Sequence, residues 1–116
     1  MSTARAFPGN PYYDPEACGL KQLGMMDDAD SYEFHILVLW QDVKSGKLYY
    51  AVDSGCSCPT PFEDYQSLAD LTPLNQRSWK AFETDVDGYR LDRGEKDALL
   101  KVAKGKVFPR KPRSTR

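Results

Sequence analysis

Residues 55–64 read Gly55-Cys56-Ser57-Cys58-Pro59-Thr60-Pro61-Phe62-Glu63-Asp64, and two thiols one residue apart between stiff prolines could hold a metal, cycle through redox states or shape a rigid surface. Cys56 and Cys58, with Cys18 and His35, supply the four soft or borderline donors of a tetrahedral zinc site. The spacing argues against it, because structural zinc knuckles usually separate their cysteines by two to four residues. His35 also alternates onto the strand face opposite Phe34 and Trp40, so it need not point toward the loop. The expectation is therefore no cofactor, with a zinc-stabilised domain or zinc enzyme as an alternative. A disulfide across one residue would be strained and labile. A cysteine nucleophile would need His35, the sole histidine, as its base; with seventeen acidic residues in the chain, a carboxylate to orient it is no discriminating signal. The pairs Glu63-Asp64 and Asp85/Asp87 could do acid–base work, but the first equally suits the start of a helical turn. There is no Gly-x-Gly-x-x-Gly, P-loop or Gly-x-Ser-x-Gly, and no catalytic set is recognisable.

The second chemical feature is charge. The net charge of −1 hides a split: residues 1–100 carry nine basic and seventeen acidic groups, whereas the rest of the chain carries seven basic groups and no acid. Those seven, Lys101, Lys104, Lys106, Arg110, Lys111, Arg113 and Arg116, mix with Phe108 and two prolines, a composition that can follow a phosphate backbone and stack a base.

The elements that must position these residues are those of one small domain. The apolar fraction of 41% and mean hydropathy of −0.62 suit a folded chain with a polar skew. Residues 1–19 form an arm barred from regular structure by Pro8, Pro11 and Pro15, with Phe7, Tyr12 and Tyr13 expected to lie on the domain. Leu20–Met26 reads as a weak strand. Tyr32–Asp42 alternates strongly, with Tyr32, Phe34, Ile36, Val38 and Trp40 on one face, and Lys47–Asp53 repeats the pattern with Leu48, Tyr50 and Val52. A three-residue loop ending in Gly46 would put both apolar sets on one face and pair Trp40 with Tyr50. Thr72-Pro73 is expected to cap a helix carrying Leu74, Trp79, Phe82 and Val86 and ending at Gly88. Asp92 and Glu95 suggest a capping box for a second helix that closes at Gly105. The expected fold is α+β, an antiparallel meander of two to three strands, a Pro/Cys loop and two helices packed on the sheet. The domain would span residues 20–105, followed by a basic tail at 106–116.

The run Tyr32-Glu33-Phe34, Val38-Leu39-Trp40, Leu48-Tyr49-Tyr50-Ala51 and Gly55-Cys56-Ser57-Cys58-Pro59-x-Pro61-Phe62-Glu63 resembles a family of small uncharacterised proteins of actinobacterial phages, over residues 16–86. The resemblance implies a phage protein made in a bacterial cell and brings no established activity. The odd cysteine count and the absence of a signal-peptide core or an 18-residue apolar run point to the host cytoplasm or a virion, with no membrane partner. Two non-enzymatic functions follow. The leading one is a module gripping a host or virion protein through Cys56, Cys58, Pro59, Pro61, Phe62, Glu63 and Tyr65; the alternative is RNA, ribosome or DNA binding through the basic tail.

Overall fold

The computed structural model describes residues 6–29, 33–56 and 61–108. The fold is α+β: strands β1 (Leu20–Asp27), β2 (Glu33–Asp42), β3 (Leu48–Cys56) and β4 (Thr72–Leu74) form an antiparallel sheet in the order β1-β2-β3-β4. Helices α1 (Trp79–Asp87) and α2 (Arg93–Val107) follow. The meander has four strands where two to three were expected, because Thr72-Pro73 opens no helix. Thr72–Leu74 pairs with β3, placing Pro73 opposite Tyr49 on a sheet edge, where a missing N–H is tolerated. Leu74 then joins the core, and helix initiation passes to Asn75 and Ser78. The Asn75 side chain accepts from Arg77 N (2.9 Å) and Ser78 N (3.2 Å), and Ser78 stands at the N-cap of α1.

The β2–β3 register also differs from expectation. Trp40 pairs with Tyr49, and Leu39 with Tyr50, across a four-residue turn, Val43–Gly46. Buried Asp42 anchors this turn: its carboxylate accepts from the Ser45 hydroxyl (2.7 Å) and its carbonyl from Gly46 N (2.8 Å), with Gly46 at φ +76°. The middle of β2 is apolar on both faces, so alternation in β3 fits either face. The longer turn decides, and a slip of one residue exchanges the two faces of β3.

Two cores result, one on each side of the sheet. On the helix side, Leu37, Leu39, Leu48 and Tyr50 pack against Phe82 and Val86 of α1 and Leu99, Ala103 and Val107 of α2. Val107 is half a turn beyond Gly105, so its burial carries α2 past the expected stop; Gly88 does end α1. Asp92 is the N-cap of α2 through its carbonyl, but its side chain makes no capping bond. Contact between α2 and β1 is tight enough that a Cβ on Gly24 would lie 2.7 Å from Leu99 Cδ1. On the opposite side, Phe34, Ile36, Val38 and Trp40 are covered by irregular chain: the arm with Phe7, Tyr12 and Cys18, and the segment carrying Phe62, Tyr65, Leu68 and Leu71. The described part of the arm, residues 6–19, is thus part of the domain. Phe7 N bonds Gln66 O (2.8 Å), and Ala6 bridges Ser67.

Candidate functional site

The Pro/Cys loop comes first. Cys58, Pro59 and the side chain of Cys56 lie outside the described residues. The described half points inward. Phe62 is fully buried at φ +62°, a left-handed conformation that costs a non-glycine residue about 1–2 kcal/mol. Its ring sits in an aromatic box, with centroids 5.1 Å from Tyr65, 5.6 Å from Trp40 and 5.7 Å from Tyr12. The backbone is pinned as well: Phe62 N donates to Asp53 Oδ2 (2.7 Å), and Asn10 Nδ2 donates to Pro61 O (2.9 Å). Trp40 Nε1 reaches across to Pro11 O at 3.1 Å, and Tyr65 OH to Val52 O at 3.1 Å. Burial, then the charges of Asp53, Asp70 and Asp64, raises the Tyr65 hydroxyl above the usual tyrosine value. Phe62 is therefore a core residue whose ring is closed to a partner protein, and Tyr65 is half-buried against it. Of that loop set, Glu63 is exposed and Pro61 half-buried.

Of the candidate zinc ligands, the two whose side chains are described, Cys18 and His35, do not come together. Cys18 is buried on the arm side, its Sγ 3.5 Å from Gly9 O, whereas His35 stands on the helix side, so the sheet separates them. His35 instead belongs to a polar cluster. Its Nδ1 lies 2.8 Å from Asp28 Oδ1, its ring stacks on Tyr89 at 4.2 Å, and Asp28 Oδ2 accepts from Arg90 N at 2.8 Å. Burial would raise the Asp28 carboxyl, but the bonds from Arg90 and His35 outweigh it and hold it below the ordinary carboxylate value. Burial pushes the Tyr89 hydroxyl well above the tyrosine range, aided by Asp28, Asp27 and Asp85. The cluster ties the β1–β2 connection to the α1–α2 connection. The hairpin carried the signal for it: Asp27 pairs with Ile36, so Asp28 and His35 extend the same ladder by one position.

The third site is a groove of about 650 Å³ at the turn end of β3. Three segments build it: the β2–β3 turn supplies Lys47, the β4–α1 loop Arg77, and the end of α2 Lys106, with Tyr49 as an aromatic wall. No carboxylate lines it, and these three cations form no ion pair among the described residues. Among the described residues the ion-paired arginine is elsewhere: Arg93 bridges Asp87 and Asp97, each at 2.9 Å. Just past the groove, Phe108 is 39% exposed and meets Trp79 edge-on at 5.6 Å. Of the basic residues expected to act together, Lys106 enters the groove, Lys101 and Lys104 are exposed on α2, and Arg110, Lys111, Arg113 and Arg116 lie outside the described residues. Lys47 and Arg77 were not legible as site residues; an isolated surface cation carries no local pattern.

A family model described as a domain of unknown function, DUF7574, matches residues 9–105. No curated protein and no solved structure matches the chain.

Proposed function

The chain belongs to the DUF7574 family over residues 9–105, and from its geometry we propose that it binds the phosphate backbone of a nucleic acid, without catalysis, through the cationic groove. One observation carries this reading: Lys47, Arg77 and Lys106, distant in sequence, converge in a groove free of carboxylates. They do so on a chain whose first hundred residues hold seventeen acids against nine bases. Random placement on such a surface would intersperse the signs. A pooled set of unneutralised cations instead draws in a polyanion and releases its condensed counterions.

Tyr49 and Phe108 add faces on which a base can stack, and the basic residues 110–116 follow Phe108 directly in sequence. Lys106 and that tail lie beyond the matched span, so Lys47 and Arg77 are the part of the groove within it. The setting we propose is the one implied by the motif resemblance, a phage protein meeting host or phage nucleic acid in the host cytoplasm. No helix among the described residues is long and apolar enough to cross a membrane.

Fluorescence anisotropy with a labelled oligouridine and a labelled DNA duplex, repeated at rising salt, tests the reading. Affinity should fall log-linearly with salt, and Lys47→Glu and Arg77→Glu should each flatten the single-strand slope by about 0.7. Salt-insensitive binding, or equal binding by the double variant, would sink it.

A further inference from the structure

A second groove, of about 390 Å³, runs between β1 and α2 with the opposite chemistry. Leu23, Met25, Ala98 and Val102 make it apolar, Asp27 and Glu95 are its charged residues, and no cation lines it. Met25 and Val102 are 38% and 42% exposed. The acids of α2 and its N-cap, Asp92, Glu95 and Asp97, all come before Leu100, where Arg93 and Lys96 also sit, whereas the charged residues beyond it, Lys101, Lys104 and Lys106, are all basic. Glu95, Ala98 and Val102 recur at helical spacing, and the same stripe runs on through Gly105 and Lys106. Glycine disfavours a helix interior, yet a Cβ on Gly105 would meet nothing within 4 Å, so no contact inside the described chain calls for it.

We propose that a second copy of the chain covers this face, with α2 packed antiparallel on α2 about a two-fold axis near Leu100. That arrangement sets Val102 of each copy on Ala98 of the other. It also brings Glu95 against the second copy's Lys106, once on each side of the axis. A two-fold interface must be self-complementary, and a stripe acidic at one end, apolar in the middle and basic at the other meets that requirement. An apolar centre flanked by polar groups is the ordinary anatomy of such a contact. The helix, not the sheet edge, is the contacting element, because the register shift between Gln22 and Gly24 breaks the outer edge of β1 as a template for another strand.

Sedimentation equilibrium of the full chain, freed of nucleic acid because Lys106 also borders the cationic groove, tests the pairing independently of the proposed function. The mass should rise from 13.2 kDa toward twice that value as concentration increases. Glu95→Lys or Lys106→Glu alone should weaken dimerisation about tenfold or more, and the two together should restore it to within about threefold. Circular dichroism confirms that each variant is folded. A mass fixed at 13.2 kDa at every concentration overturns the proposal. So does a dimer indifferent to both single reversals, or one that the double reversal fails to restore.

Discussion

The arm side of the sheet and the cationic groove differ in what occupies their side chains. On the arm side the described residues that stand out are engaged: Phe62 in its aromatic box, Trp40 on Pro11, Asn10 on Pro61 and Asp53 on Phe62 N. In the groove the residue types are commonplace, and the three cations have no ion partner among the described residues. In the described half of the Pro/Cys loop, improbable sequence marks a packing problem, namely how to cover an apolar sheet face without a helix. The surface we propose for a polyanion is built from residues that attract no notice one at a time.

The largest expected effect tests the first half of that contrast. Phe62→Ala should cost about 3–5 kcal/mol in urea unfolding, the range for emptying a buried aromatic site. Nucleic-acid affinity, measured where the variant is still folded, should hold. A small stability cost with lost affinity would reverse the assignment of the two regions. The complementary variant, Lys47→Glu with Arg77→Glu, should lower affinity about 10- to 100-fold at low salt while moving stability by no more than about 0.5 kcal/mol.

Smaller effects sharpen the boundary. Trp40→Phe keeps most of the ring but leaves the buried Pro11 carbonyl without its donor, at a cost of about 1–3 kcal/mol by thermal or chemical unfolding. The smallest concerns the polar cluster on the helix side. Asp28 has its carboxyl lowered in the folded state, so it stabilises the fold above the ordinary carboxylate value and that contribution fades as pH falls through about 4 and below. Asp28→Asn should flatten this part of the stability–pH curve, and an unchanged acid limb would show that the cluster adds nothing.

The sequence spelled out the elements better than their partners. Alternation in β2 was unambiguous, and Gly46, Gly88 and Asp92 stand at the turn, stop and cap assigned to them. Register was not legible, because Leu37 and Leu39 make the second face of β2 as apolar as the first. β4 was hidden by Pro73, which reads as a helix start until the sheet edge beside it is known. Lys47, Arg77 and Lys106 sit about thirty residues apart, so only the fold relates them. His35 and Asp28 could have been paired from the β1–β2 hairpin alone. That Cys18 and His35 lie apart was not legible, because a strand pattern says which residues share a face, but not that the arm carrying Cys18 crosses the other one.

The strapping of the arm also bears on the order of events during synthesis. Asn10 and Phe7 leave the ribosome well before their partners Pro61 and Gln66, which emerge about fifty to sixty residues later. Until then Trp40 and the β2 face around it have no cover, and the nascent hairpin presents an aromatic surface to whatever is nearby. Closure of so long a loop places arm docking late in folding. The two tryptophans fall on opposite sides of the sheet, so a Trp79→Phe chain would leave Trp40 as a fluorescent clock for that final step.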